Sequence, residues 1–348
     1  MTSMTADLLV IGAGPAGAAA ATQAARGGAS VVVFDKAPYG RDKVCGDGLT
    51  PRAIAALNEL DIPLEGAHHI VGLRMIANET VRELDWPDGG RFPNHGAVWP
   101  RRRLDAALID AATEAGAEVI WDTEALPILD GDTVIGVEAG GKTWHAPLTV
   151  IATGAPGKVA KMLGTDRVED EPFGLAIRAY VPSDRHTDKH LEACLTLKDE
   201  HGTAVPGYGW MFPAGDGTVN IGAGALSTMK GFKKLNLNTL LDDYRNLVQE
   251  SWGLGDFVER PRAWRLPMSA QKRHGTGWVA IGDAAGLINR PAPPHSAPEP
   301  RSIPQFVARC PDANGSQARC GRSTGRLRSH GNVDNRRWSC GPRIRCCP

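Results

Sequence analysis

Residues 6–17 read ADLLVIGAGPAG, an apolar run that breaks abruptly into three glycines spaced G-x-G-x-x-G. Leu8 to Ile11 has the unalternating hydrophobicity of a strand buried on both faces. Gly12 permits a tight turn, Gly14 lets backbone approach a pyrophosphate, and Gly17 lets a helix pack close to the strand. Pro15 and Ala16 open an Ala-rich helix reaching Arg26, with proline where its missing N–H costs little. Gly27 and Gly28 stop that helix, and SVVVFDK (30–36) follows as a second buried strand. Strand, glycines, helix and strand form one βαβ unit. The helix N-terminus carries about half a positive charge toward the phosphates. Asp35, 18 residues after Gly17, ends the second strand and can accept a ribose hydroxyl, with Lys36 beside it. The stretch therefore predicts a dinucleotide site.

The rest of the chain fits an interrupted version of the same fold. RDKVCGDGLTP (41–51) is a glycine-rich loop before a short helix near 52–60. Residues 70–99 read as strands and turns. From Arg101 a helix is expected, with Leu104, Leu108 and Ala111/Ala112 at helical spacing. Residues 125–147 suggest an antiparallel meander, and 148–152 another buried strand. Strands recur over 173–224, an amphipathic helix over 239–252, and a strand over 277–281 before Gly282-Asp283. The choice between FAD and NAD is open from the first unit alone. Arg101 at a helix start, Ala152-Thr153-Gly154 closing a strand, and Gly282-Asp283 after another favour FAD by their joint order.

These motifs, with KVCGDGLTPR at 43–52, GYGWMFP at 207–213 and NIGAG at 220–224, resemble the geranylgeranyl reductase family, a branch of the p-hydroxybenzoate hydroxylase-like flavoproteins. The resemblance spans about residues 5–289. It implies an α/β Rossmann-type FAD-binding domain with an inserted β-rich substrate domain. The expected division gives the FAD domain residues 1–66, 99–166 and 268–289, and the substrate domain 67–98 and 167–267. It implies FAD-dependent reduction of isolated C=C bonds in isoprenoid chains, on a prenyl lipid or the side chain of a menaquinone. An external donor, NAD(P)H or another reductant, would recharge the flavin. Cofactor contacts are expected from Gly12, Gly14, Pro15, Ala16, Gly17, Asp35, Lys36, Cys45, Gly46, Arg101, Gly282 and Asp283. Cys45 and Tyr208 are the catalytic candidates.

Tyr208, Trp210 and Phe212 alternate as on a strand, so they share a face and are candidates for a greasy substrate pocket or for core. An aromatic hydroxylase of the same fold, and a non-catalytic remnant, are the rival readings. His186 and His190 are expected on a solvated loop face, and no metal site is expected.

The formal charge is zero, but residues 290–348 hold eleven Arg, no Lys and three acidic residues, a net +8 that leaves −8 on the first 289. A mildly acidic body argues against a nucleic-acid partner. That body has two cysteines, Cys45 and Cys194, against five in the tail, which suits a reducing, cytoplasmic compartment. No run is long enough to span a bilayer, so contact with lipid is expected to be peripheral. The start lacks the basic flank of a signal peptide and reads as mature protein. After Asn289 the Arg/Pro/Ser/Cys mixture departs from the family pattern of a Gly-Glu-Gly helix start. The expectation is a disordered tail or one read out of frame from near Arg290.

Overall fold

The computed structural model describes residues 3–155 and 157–288; the expectations for residues 290–348 lie outside the described residues. The Leu8–Ile11 strand lies mid-sheet, as its continuous burial requires. It pairs in parallel with Val31–Phe34 on one side and Leu148–Ile151 on the other. Glu118–Ile120 and Trp278–Ala280 extend the parallel array outward, and His274–Gly275 adds an antiparallel edge. Strands buried on both faces need two covers. One is the helix pair Pro15–Arg26 and Arg101–Glu114, packed on Leu8, Val10, Val31 and Val33. The other is the meander Ala125–Asp130, Thr133–Ala139 and Lys142–His145, which places Val137 and Trp144 against Leu9, Ile11 and Phe34.

A separate seven-stranded sheet runs Arg262–Pro267, Phe173–Pro182, Thr218–Leu226, Gly207–Pro213, His190–Cys194, Gly72–Ala77 and Thr80–Asp85. All neighbours are antiparallel except His190–Cys194 with Gly72–Ala77. Its central strands show the period-two division of a two-faced sheet. Ile177, Ala179, Val181, Met211, Val219 and Ile221 face the Leu237–Trp252 helix and build a core with Leu240, Leu241, Tyr244 and Trp252. Arg178, Tyr180, Trp210, Phe212 and Asn220 lie on the alternate positions and meet the 41–50 loop.

The helix begins two residues earlier than its hydrophobic pattern, because the Asn236 side chain caps it by accepting from the N–H of Asn238 and Thr239. A short helix, Lys158–Leu163, was not legible; two turns hold too few residues to show a period. The expected solvated face at His186 and His190 is corrected. His186 accepts from the Gly217 N–H through Nδ1, and His190 Nε2 lies 2.8 Å from Asp85. Both rings are pinned in the sheet margin, and among the described residues no group of potential metal ligands gathers.

Candidate active site

The glycine turn has the geometry that its sequence requires. Gly12 sits at φ +109°, and a Cβ there would fall 2.3 Å from the Ala152 carbonyl oxygen. At Gly17 a Cβ would fall 1.9 Å from the Gly12 carbonyl oxygen, so helix and turn approach as only glycine allows. Gly14 differs. A Cβ there would meet only the Arg41 guanidinium, at 3.5 Å, so packing within the chain does not demand glycine. Its smallness keeps the backbone open toward the space in front of the helix. That helix has Gly14 at its N-cap, no side-chain cap and no acid in its first turn, leaving its N–H groups for an anion. The Thr153 hydroxyl, on the strand end that abuts Gly12, is buried without a partner. These features fit the diphosphate and ribose of FAD.

Asp35 is 8% exposed, and its carboxylate does structural work as well. One oxygen accepts from the Ala13 N–H at 2.8 Å and the other from the Ala37 N–H at 2.9 Å. It therefore fixes the glycine turn against the second strand. Lys36, the next residue, is exposed. Arg41 reaches across, 3.9 Å from Asp35 and 3.6 Å from Asp105. Arg101 grips Asp105 with two bonds of 2.6 and 2.8 Å. Burial opposes the Arg101 charge, but the Asp105 bonds hold it protonated above the ordinary arginine range.

Residues far apart in sequence meet around the 41–50 loop. A Cβ on Gly282 would come within 2.9 Å of Ala16 Cβ, so the Gly-Asp turn abuts the glycine helix. Lys43 lies in electrostatic reach of Asp283, Arg101, Cys45 and Arg41. Burial lowers the Lys43 ammonium, Asp283 and Cys45 oppose that shift, and the two arginines add to it. Its Nζ also lies over the Trp264 ring, 4.5 Å from the centroid. Cys45 is a free, half-buried thiol in this cationic group.

The three aromatics share one face but not one environment. Trp210 is 5% exposed, and its ring lies where a Cβ on Gly222 would be 2.1 Å away. Phe212 packs 3.1 Å from the Cβ positions of both Gly46 and Gly48, beside the small core of Ile70, Val98, Leu191 and Ala214. Tyr208 is the open member, 44% exposed. Its surroundings raise the phenol, and the nearby Cys45 raises it further.

Sequence reasoning missed Arg41, Lys43, Asp47, Tyr180 and Asn220. Asp47 is 1% exposed and bonded to Tyr180 and Asn220. Burial pushes its carboxyl up to about 6, against the bonds from Tyr180 and Asn220 that favour the charge. The signal for Asn220 and Tyr180 was their alternation with apolar neighbours on strands.

A family model described as an FAD binding domain matches residues 5–218. The menaquinone reductase of Mycolicibacterium smegmatis is 40% identical over 296 residues, 82% of this chain and 71% of the relative. The digeranylgeranylglycerophospholipid reductase 1 of Methanopyrus kandleri is 30% identical over 299 residues, 82% of this chain and 75% of the relative. In fold, the chain matches the geranylgeranyl bacteriochlorophyll reductase-like protein of Thermoplasma acidophilum, with TM-score 0.68 and 23% identity, over 82% of this chain and 73% of that one. Glycine turn, Cys-Gly loop and extended likeness agree: the chain belongs to the FAD-binding flavoproteins, in the family of the menaquinone and geranylgeranyl reductases.

Proposed function

We propose that this protein reduces isolated C=C bonds of an isoprenoid chain, on a menaquinone side chain or another prenyl lipid. The reading is carried by the seating of the Cys45–Gly48 loop of the FAD side directly on the aromatic strand of the large sheet. It assigns the parallel sheet to the cofactor and the seven-stranded sheet to the substrate. The names of the relatives supply the substrate class.

Bound FAD would supply the hydride, recharged by NAD(P)H or another external reductant. The chain would hold it through the Gly12–Gly17 turn, Asp35, Arg101 and the Gly282-Asp283 turn. Arg41, Lys43 and Arg101 add positive charge beside the glycine loop, where it stabilises a bound anion. An unactivated alkene also needs a proton from an acid within reach. Tyr208 is the candidate, as the open phenol on the aromatic strand beside the Cys45 loop, 44% exposed; its raised phenol makes it a weaker acid than a free tyrosine. Cys45 stands beside it in the same group.

The substrate is lipid, and no helix among the described residues is long and apolar enough to cross a membrane. The relatives' lipid substrates support a place near the membrane face, and we propose peripheral contact there from the cytoplasmic side. The acidic body gives no support to a nucleic-acid partner.

The test is anaerobic. The flavin of the loaded chain is reduced chemically, excess reductant is removed, and a prenylated quinone is added. Reoxidation without oxygen, with product carrying one extra hydrogen pair per reduced bond, is expected. Reoxidation only on admitting oxygen, with a hydroxylated product, would assign the chain to the hydroxylases instead.

A further inference from the structure

Asp47 combines three unusual properties. It is an acid, it is 1% exposed, and it stands at φ +65° between two glycines. A non-glycine residue in the left-handed region persists only when its surroundings hold it there. Four donors do so. The backbone oxygen of Asp47 accepts from the Trp99 N–H at 3.0 Å. One carboxylate oxygen accepts from the Arg101 N–H at 3.3 Å. The other accepts from Asn220 Nδ2 at 2.8 Å and from the Tyr180 hydroxyl. Tyr180 and Asn220 are register partners on adjacent strands of the large sheet. Asp47 thus joins the FAD-side loop, the start of the Arg101 helix and two strands.

Asn220 completes the junction. It is fully buried, and its whole amide is used. Nδ2 donates to the Cys45 carbonyl and to Asp47, each at 2.8 Å, while Oδ1 accepts from Trp210 Nε1 at 2.9 Å. The orientation of the amide is therefore forced. A flip would set its NH2 against the indole N–H, and its oxygen against a carboxylate and a carbonyl. A buried network satisfied in only one arrangement specifies that arrangement.

We propose that Asp47 and Asn220 are a positioning pair, tying the Cys45 loop to the aromatic strand so that the Cys45 thiol and the Trp210 ring keep one fixed spacing. They act through the loop and the indole. The charged and titratable groups facing Asp47 are Cys45 from its own loop and Arg178 and Tyr180 from the Phe173–Pro182 strand; Arg101 meets it through the backbone N–H, its guanidinium being held by Asp105. Asp42 bonds Arg178 from the loop. An ionised Asp47 accepts from all its side-chain donors. Burial penalises that charge more than the donors reward it, so the closed loop is held more tightly with Asp47 protonated than with it ionised.

The inference rests on the reading of this loop and strand as the site, but its test uses neither cofactor nor substrate. The full-length chain is alkylated with iodoacetamide, and the peptides carrying Cys45 and Cys194 are quantified over time. Cys194, 4% exposed in the core behind the large sheet, reports general loosening. Asn220→Ala is expected to speed Cys45 alkylation about tenfold, the opening permitted by loss of a buried hydrogen bond, while Cys194 holds its rate. Asp47→Asn is nearly isosteric and keeps the test available if Asn220→Ala misfolds. It should also speed Cys45, and its excess over wild type should grow as pH falls below about 6, where the buried wild-type acid binds a proton that it would release in the opened loop. Equal acceleration of both cysteines, no acceleration of Cys45, or an excess independent of pH would overturn the proposal. If the chain shows this loop behaviour but fails the anaerobic assay, the functional reading falls and the positioning pair stands.

Discussion

At the scale of single residues, Asp47 has the clearest thermodynamic consequence. Its carboxyl titrates at about 6 in the folded chain, because burial outweighs the bonds that favour its charge. The unfolded chain gives up the same proton in the ordinary carboxylate range. Between those limits the folded state binds more protons, so this residue makes stability fall as pH rises toward about 6 and level off above it. A shift of this size corresponds to roughly 2–3 kcal/mol. Denaturant unfolding at several pH values checks the sign. The wild-type free energy is expected to decline from about pH 4 to about pH 6 relative to that of Asp47→Asn, then run parallel to it. Two parallel curves throughout would contradict the buried acid. The role of Asp47 was hidden in CGDG, where an acid between glycines reads as an ordinary turn. Only the opposite sheet supplies Tyr180 and Asn220, and no local pattern names a partner more than 130 residues away.

At the scale of elements, the sequence was most legible where one physical rule dominates. Leu8–Ile11 and Val31–Phe34 were readable because burial on both faces leaves no polar position, and Leu148–Ile151 because only Thr149 interrupts its apolar run. The glycine helix was readable because its steric demands, seen at Gly12 and Gly17, exclude other residues. The aromatic strand was read correctly for direction but only half for environment. Alternation sets Tyr208, Trp210 and Phe212 on one face, yet whether each meets solvent or protein depends on the loop laid over it. Gly222 shows how close that packing is, since its absent side chain makes room for the Trp210 ring. Gly222→Ala is expected to lower unfolding free energy by about 1–3 kcal/mol through overpacking against the indole and the Ile177 carbonyl, read by denaturant titration. A variant as stable as wild type would show that the ring is free to move aside.

At the scale of the whole molecule, the parallel sheet and the seven-stranded sheet meet at one seam, the 41–50 loop. The parallel sheet ends in the glycine turn and in the Gly-Asp turn near Ala16. The antiparallel sheet turns an apolar face to its own helix and a polar and aromatic face to the 41–50 loop. We propose that FAD binds against the first sheet and that the isoprenoid chain lies at the seam between them. Everything in that reading depends on the chain taking up its cofactor. The most direct measurement is the visible absorbance of the purified full-length chain after incubation with FAD and gel filtration. The account predicts that oxidised-flavin bands travel with the protein at an equimolar ratio; a colourless protein peak, with all the flavin in the small-molecule fractions, would contradict it.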